Sequence, residues 1–336
     1  MAIRVCTLCS GYDSQMMAMK RLERDFGIES ELVAWSEIDN NAIKAHNALF
    51  PEASNKNLGD MTIIDWSKAP DFDLLTYSTP CTSISTQGRQ EGLEKGSGTE
   101  SSIIWYTEQC IKEKRPKYLL LENVKQLASK RYEKDFKMWL DLLESYGYRN
   151  YYKVLNSLDF NVPQNRERLF VVSILNGSEN DFTFPEAIAL KVFAKDLLEP
   201  FDCKWLYNND FLQNLKLYNE PKISQKGFKV IGNLFKSGHS CGRIFDVTEC
   251  DSTVSTCMMN HGTSIPLYRF DDNGNMVIAK MTPREMFRFM DVDTEYVDKI
   301  EKVCGSSGLL KMAGNSIVVS VFVSYIQTNV CQIKIN

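Results

Sequence analysis

The first half of the chain alternates short apolar runs with amphipathic stretches, which is typical of strand–helix–strand units around a parallel sheet. The apolar runs predict buried strands over Ile3–Leu8, Leu32–Trp35, Asp73–Tyr77 and Tyr118–Leu121. The amphipathic stretches predict helices over Met16–Phe26, Asn40–Phe50, Ser102–Lys114 and Tyr132–Tyr146. Gly27 is placed to cap the first helix, and Pro51 follows the second. We therefore expect an α/β fold on a doubly wound, mostly parallel sheet.

The pattern changes after the fourth predicted helix. Tyr151–Leu155 and Leu169–Leu175 are typical of strands, and their short polar connection favours an antiparallel edge hairpin. From about residue 176 to 270 the periodicity weakens, which predicts a smaller, irregular domain. Helical character returns at Met281, and Ser316–Gln327 is apolar enough to pack on the first domain. We predict one domain over 1–175 plus about 305–336, and a second over about 176–304.

Composition adds the cellular setting. The 336 residues suit about two domains, and 43% hydrophobic residues suffice for a full core. We see neither a signal-peptide pattern nor an apolar run that would span a membrane, so we expect a cytoplasmic protein. Its 10 cysteines are then expected to be reduced. The net charge of −4 means that any nucleic-acid surface must be a local basic patch.

Polar groups follow the carboxyl ends of all four predicted parallel strands, which is where open α/β sheets bind ligands. They are the SGYDS loop, Glu37, Pro80-Cys81 and Glu122-Asn123. Glu37 suits ribose hydroxyls, and Asp60 could accept an exocyclic amine, although either acid alone could be a solvated loop residue or a helix cap. Because the first loop lacks GxGxxG, a ligand without phosphates is favoured.

Cys81 follows a proline at a strand end and precedes a polar segment containing four glycines, Gly88, Gly92, Gly96 and Gly98. Pro80 would fix the direction of the thiol, and the glycines suggest a loop that closes over a substrate. The alternative is an inert buried cysteine. Glu122 is placed to carry a proton. Arg166 and Arg168 share one face if their segment is extended, either as anion-binding groups or as an exposed salt-bridge edge.

Taken in order, these segments resemble those of the cytosine-5 DNA methyltransferases of bacterial or phage type. The matching segments are SGYDS, EIDNNA, GDM, STPCTSIS, LLLENV, QNRERLF and AGNSIVV. The resemblance implies a Rossmann-like catalytic domain and a target-recognition region over about residues 176–270. It also implies S-adenosylmethionine as the methyl donor and a specific sequence in duplex DNA as the substrate.

The resemblance also implies roles for individual residues. Cys81 would attack carbon 6 of a flipped-out cytosine. Glu122 would contact ring nitrogen 3 and the amino group, Arg168 the carbonyl oxygen, and Arg166 a loop or a phosphate. The expected cofactor-binding residues are Cys9, Ser10, Gly11, Tyr12, Asp13, Ser14, Glu37, Ile38, Asp60, Met61, Pro80, Ile103, Asn315 and Ser316. The family often has an aromatic residue at position 9, glycines at 13 and 14, and glutamine at 82, where this chain has Thr82.

The expected DNA contacts begin with Ser83, Ser85 and Arg89 in the nucleophile loop and with Gln164. A basic stretch from Pro221 to Phe245 without acidic residues adds Lys226, Lys229, Lys236 and Arg243, and Lys222 lies in the same stretch. Its alternative is a solvated surface loop. Thr253 and Thr256 in STVSTC are further candidates. A cognate restriction endonuclease is a candidate partner, and a monomer is the default expectation.

Several other readings are weaker. The spacings of His239, Cys241, Cys250, Cys257 and His261 match no zinc pattern, and Cys6-x-x-Cys9 spans a strand end rather than a helix start. We therefore expect no metal.

The rival functions are a tRNA cytosine-5 methyltransferase, a catalytically silent DNA-binding paralogue and a nicotinamide dehydrogenase. The large recognition region favours DNA, the intact Cys81 favours catalysis, and SGYDSQ disfavours a dinucleotide.

Overall fold

The computed structural model describes residues 2–85, 91–178, 181–200, 203–206, 212–223, 229–235, 242–246, 254–255, 266–270 and 276–333. The chain forms two compact units. The first comprises Met1–Leu155, Glu167–Glu186 and Val321–Asn336, and the second comprises Asn156–Arg166 and Ala187–Ser320. Residues 305–320 and the short segment 156–166 thus group with the second unit, and residues 176–186 with the first.

The strands in chain order are β1 (Ile3–Leu8), β2 (Ser30–Ser36), β3 (Leu74–Tyr77), β4 (Tyr118–Val124), β5 (Tyr148–Asn156), β6 (Gln164–Asn165), β7 (Glu167–Leu175), β8 (Lys216–Ile223), β9 (Lys229–Asn233), β10 (Arg243–Asp246), β11 (Val254–Ser255), β12 (Pro266–Phe270) and β13 (Met276–Lys280). The α-helices are α1 (Ser14–Phe26), α2 (Asn40–Leu49), α3 (Thr107–Lys114), α4 (Glu133–Ser145), α5 (Pro283–Arg288), α6 (Thr294–Glu301), α7 (Ser306–Asn315) and α8 (Val319–Ile333). Short 3₁₀ turns cover Pro51–Lys56, Trp66–Lys68, Glu100–Tyr106, Lys125–Ala128, Ser157–Asp159, Ala194–Leu197 and Cys203–Trp205.

A six-stranded sheet in the order β2–β1–β3–β4–β7–β5 forms the centre of the first unit. Strands β1 to β4 are parallel, and β7 runs antiparallel to β4. Strand β5 runs antiparallel to β7, because Asn176 N donates to Gly147 O (2.9 Å) while Ser173 Oγ donates to Asn150 Oδ1 (2.6 Å). The predicted α/β class, with its mostly parallel sheet and antiparallel edge pair, is confirmed.

Helices α1, α2 and α4 match the predicted ones to within two residues at each end, whereas the third predicted helix differs. Asp39 caps α2 by accepting hydrogen bonds from Asn41 N and Ala42 N, and Gly27 ends α1 in the left-handed conformation (φ 65°). The predicted helix over Ser102–Lys114 is instead a 3₁₀ turn over Glu100–Tyr106 followed by α3.

The second unit contains a five-stranded sheet in the order β13–β12–β10–β9–β8. The sequence predicted only irregular structure there, because β8 is exposed along nearly all of its length and so lacks alternation of apolar and polar residues. Leu234, Ile244 and Ile278 form a small core on this sheet.

The predicted helix over Ser316–Gln327 begins instead at Val319, because α7 ends at Asn315 and Ser316 is extended (ψ 164°). Within α8, Tyr325 lies in the first unit, where its ring contacts Phe170 (centroids 5.5 Å apart). The stretch Ser306–Thr328 is long and apolar enough to cross a membrane, but most of it is buried inside the protein. It is therefore weak evidence for a membrane span.

Candidate active site

The carboxyl ends of the four parallel strands lie level with one another. Ser36 of β2 pairs with Leu8 of β1, Leu8 pairs with Tyr77 of β3, and Tyr77 pairs with Leu121 of β4. The residues that follow this row are Glu37, Cys9, Ser78 and Glu122. Strands β2 and β4 are three strand spacings apart, or roughly 14 Å. Glu37 and Glu122 therefore lie at opposite ends of this row, and the ends of β1 and β3 lie between them.

The segment that carries Cys81 is anchored to the neighbouring strand. Asn123 Nδ2, at the end of β4, donates to Thr79 O (3.0 Å), and both residues are buried. Beyond Pro80, the backbone turns sharply, because Ile84 N and Ser85 N both donate to Cys81 O (3.0 and 2.8 Å). Cys81 itself is half-buried and not in a disulfide. Cys81 thus lies in a turn whose start is fixed to the sheet.

A second set of hydrogen bonds ties this turn to residues 92–101. Thr82 Oγ1 donates to Glu100 Oε2, Ser83 N donates to Ser101 Oγ (3.1 Å), and Gly92 N donates to Ser83 O (2.9 Å). Ser83 is buried as a result, and Ser85 is half-buried. The nucleophile turn is therefore held from both sides.

Glu122 and Arg168 form an ion pair on adjacent strands. Val124 of β4 pairs with Arg168 of β7, so Glu122 lies diagonally from Arg168 on the same face. Arg168 Nε lies 3.3 Å from Glu122 Oε1, and Glu122 is only 7% exposed. A buried carboxylate beside a guanidinium offers an acceptor and several N–H donors at one point, which suits a planar amide-like base edge.

The other end of the row is built around Glu37. Its Oε2 accepts from Gly11 N (2.8 Å), and its Oε1 accepts from Ile38 N and Asp39 N (2.7 and 2.8 Å). The carboxylate thereby links the loop after β1 to the start of α2. Oε2, which has a single donor in the part of the chain that the structure describes, retains further acceptor capacity for a ligand hydroxyl.

Cys9 lies beside two acids. Burial, and to a lesser extent the carboxylates of Glu37 and Asp60, raise the pKa of the Cys9 thiol to about 12. The N–H and hydroxyl of Thr62 both bind Asp60 and lower the pKa of its carboxyl, so Asp60 remains an acceptor. The Sγ of Cys9 lies 3.4 Å from Met61 Sδ. Two carboxylates therefore lie close to one thiol at the end of β1.

A family model described as C-5 cytosine-specific DNA methylase matches residues 3–330. The chain belongs to this family. This methylase is 38% identical over 270 residues to the type II methyltransferase M2.ScrFI of Lactococcus lactis subsp. cremoris, a match that covers 80% of this chain and 70% of the relative. It is 30% identical over 302 residues to the orphan methyltransferase M.SssI of Spiroplasma monobiae, which covers 85% and 73% respectively.

Solved structures agree on the fold. The Dnmt2 methyltransferase of S. pombe matches with a TM-score of 0.71 and 20% identity, covering 98% of this chain and 99% of that one. At this identity the likeness shows the fold alone. The family match confirms the resemblance on which the sequence-based expectations depended.

The remaining predicted cofactor residues of this methylase differ in exposure. Ser10, Tyr12, Asp13, Ser14 and Met61 are buried, Ile38 is exposed, and Pro80 and Ile103 are half-buried. Asn315 is exposed and Ser316 is buried, both in the second unit. The structure does not test their roles as ligand contacts, which remain predictions.

Arg166 is held by backbone carbonyls of the second unit, and a site face shared with Arg168 stays a prediction. Arg166 lies between β6 and β7 and is buried in the second unit. Its Nη2 donates to Gly314 O (3.1 Å) and Ser316 O (2.6 Å). These carbonyls end α7, so Arg166 supports the backbone of the AGNS segment. This agrees with the loop-supporting alternative.

Two predicted DNA contacts are engaged inside the second unit. Gln164 is fully buried and donates through Nε2 to Phe289 O (3.2 Å), so it exposes no surface to a phosphate. Lys229 Nζ lies 3.0 Å from Asp246 Oδ2, and that carboxylate is buried. The sequence could not show either partner, because Asp246 and Phe289 lie far along the chain. Arg243 is half-buried on β10.

Other predicted residues lie outside the described ranges: Arg89, Lys226, Lys236, Thr253 and Thr256, and also the His/Cys group at 239–261. Among the residues that are described, no cluster of three or more metal-ligating side chains occurs. The structure gives Asn123 of the predicted strand-end pair a specific partner, since it anchors Thr79. It also adds Glu100, which the sequence did not single out and which binds Thr82 across 18 positions, a separation that carries no sequence signal.

Proposed function

We propose that this methylase transfers a methyl group to carbon 5 of a flipped-out cytosine in a specific duplex DNA sequence, with Cys81 as the nucleophile. The observation that carries the proposal is the placement of the buried Glu122–Arg168 pair beside the anchored turn that presents Cys81. A nucleophile needs to lie next to groups that stabilise the electron pair it displaces.

In this proposal the Cys81 thiolate forms a bond to carbon 6 of the cytosine ring. The displaced electron pair makes carbon 5 nucleophilic, and Glu122 contacts ring nitrogen 3 and the amino group. Arg168 holds the carbonyl oxygen. After carbon 5 has used the displaced electron pair to accept the methyl group, a base, for which water is the candidate, removes the proton from carbon 5. The electrons of that C–H bond restore the ring double bond, and the Cys81 thiolate leaves carbon 6.

S-adenosylmethionine, when bound, supplies the methyl group that carbon 5 accepts. The residues at the β1 and β2 ends fit this cofactor. Glu37 and Asp60 offer carboxylate acceptors for the ribose hydroxyls and the adenine amine, and their charge suits its sulfonium and ammonium groups. The first loop contains no glycine pattern that would cradle phosphates.

Reaching a base inside a duplex requires flipping, at a cost of a few kcal/mol for unstacking. We propose that the second unit offsets this cost through contacts to the phosphates and reads the recognition sequence. Lys222 is exposed on β8 and lies in the basic stretch from Pro221 to Phe245, so we propose it for a phosphate contact. We further propose a cytoplasmic monomer, with a cognate restriction endonuclease as a candidate partner because relatives are named as type II methyltransferases.

Transfer of a labelled methyl group from S-adenosylmethionine to purified nucleic acids tests the substrate. We expect label in unmethylated duplex genomic DNA and none in tRNA. Label in tRNA alone would instead support the tRNA alternative. Absence of label from both, with cofactor binding intact, would support a silent paralogue.

A further inference from the structure

We propose that His46 is a positioning residue for the cofactor loop of this methylase, Cys9–Asp13, and that it acts through the carboxylate of Asp13. The inference rests on the proposed function, because that loop is assigned to S-adenosylmethionine. It concerns two residues that the proposed reaction itself does not use.

The cofactor loop has an unfavourable backbone for its sequence. Cys9 and Asp13 both adopt positive φ angles (50° and 68°), a region that residues with a Cβ rarely occupy. Gly11 also has a positive φ of 59° and can adopt it without strain. Side-chain contacts must therefore hold the two non-glycine positions in place.

Asp13 is where these contacts meet. Its side chain is fully buried, with Oδ1 accepting from Met16 N (3.0 Å) at the start of α1 and Oδ2 accepting from Thr7 Oγ1 (2.9 Å) on β1. The Nε2 atom of His46 lies 3.5 Å from the same Oδ2. A buried carboxylate needs several such partners to offset its desolvation.

His46 is itself held rigidly. It belongs to α2, is fully buried, and stacks on Trp35 of β2 with ring centroids 3.6 Å apart and planes 16° apart. The ring of Phe50 also contacts His46, with centroids 5.3 Å apart. The imidazole therefore cannot turn away from Asp13 without disturbing the core.

The Asp13–His46 contact is one of several contacts between the cofactor loop and the β2–α2 segment. Others join Gly11 N to Glu37 Oε2 (2.8 Å) and Ser10 N to Ser36 O (3.2 Å). Within the described ranges, neither ring nitrogen of His46 makes a well-formed hydrogen bond. Burying such a ring is costly, so an apolar side chain would serve packing better. A role in positioning Asp13 explains why a polar residue, His46, occupies this buried position.

The test uses two variants of the full chain. His46→Leu removes the group that faces Asp13, whereas His46→Gln keeps an amide that can donate to Oδ2. We expect His46→Leu to raise the dissociation constant of S-adenosylmethionine about tenfold by calorimetry, and His46→Gln to recover most of that loss. In the cofactor-free protein, hydrogen exchange should accelerate in a peptide covering residues 9–17 of His46→Leu. The kcat at saturating cofactor should change little.

Tyr148→Phe is the matched control, because it removes a buried hydrogen bond to Pro116 O (2.8 Å) elsewhere in the same unit. Its cofactor affinity should equal that of the wild type. Wild-type affinity in His46→Leu, or equal losses in His46→Leu and His46→Gln, would overturn the inference and leave the proposed function intact. Failure of the wild-type protein to bind S-adenosylmethionine would overturn both.

Discussion

Arg168 Nε lies 3.3 Å from Glu122 Oε1, diagonally across the antiparallel pair β4–β7. Because Glu122 is buried, removal of the guanidinium leaves a carboxylate without its charged partner. We predict that Arg168→Ala lowers the free energy of unfolding by about 2 kcal/mol and abolishes methyl transfer. Urea unfolding and a methyl-transfer assay check both effects.

The double variant Glu122→Gln/Arg168→Met is the control for that experiment. It removes both charges together and should be less destabilised than the sum of the two single variants. Strict additivity would show that the two side chains do not interact in solution.

Asn123 is expected to affect catalysis because it fixes the segment that precedes Cys81. Asn123→Ala leaves Thr79 O without its amide donor, which should cost about 1–2 kcal/mol of stability and lower kcat by loosening the nucleophile turn. Asn150→Ala is a matched control, because Asn150 Nδ2 donates to Leu140 O at the same 3.0 Å, away from the site. We expect a similar loss of stability in that control with normal kcat. A normal kcat in both variants would show that Asn123 does not position the nucleophile turn.

Lys229 should contribute little to DNA binding, since its charge is paired with buried Asp246. Lys229→Met is expected to lower stability by about 1–2 kcal/mol and to leave the salt dependence of DNA binding unchanged. Lys222→Gln, on exposed β8, should instead reduce the slope of log K against log salt by about 1. The reverse pattern would place Lys229 at the phosphates.

Cys9 is predicted to be unreactive at neutral pH. Its pKa is raised from 9.0 to about 12, so the folded protein keeps the thiol protonated while the unfolded chain ionises above about 9. The associated stability is therefore present below pH 9 and lost as the pH rises toward 12. Mass spectrometry after brief iodoacetamide treatment at pH 8 should find Cys9 unmodified in the folded protein and modified in urea. Rapid modification in the folded state would contradict the raised pKa of the Cys9 thiol.

The sequence predicted the strand-end residues well because their signal is local. A polar residue directly after an apolar run, as with Glu37 and Glu122, is readable from pattern alone, and parallel strands bring such ends to one edge. The Asp39 cap and the Gly27 stop are local in the same way.

The sequence did not predict contacts that depend on distant partners. In the sequence, Gln164 and Lys229 resemble ordinary exposed polar residues. Only the folded protein shows that Phe289 and Asp246 lie beside them. The break between α7 and α8 also depends on a distant partner. Arg166 binds the carbonyls of Gly314 and Ser316, which would accept backbone hydrogen bonds if the helix continued. Strand β8 was missed for a different reason: a strand exposed on both faces has no alternation to detect.

The central claim is that Cys81 performs cytosine-5 methylation of duplex DNA. Bisulfite sequencing of unmethylated genomic DNA, after incubation with S-adenosylmethionine and either wild-type protein or Cys81→Ala, tests it most directly. We predict protected cytosines at one recurring sequence with the wild type, and none with Cys81→Ala, which should still bind the cofactor normally by calorimetry. Protected cytosines produced by Cys81→Ala, or none produced by the wild type, would contradict the account.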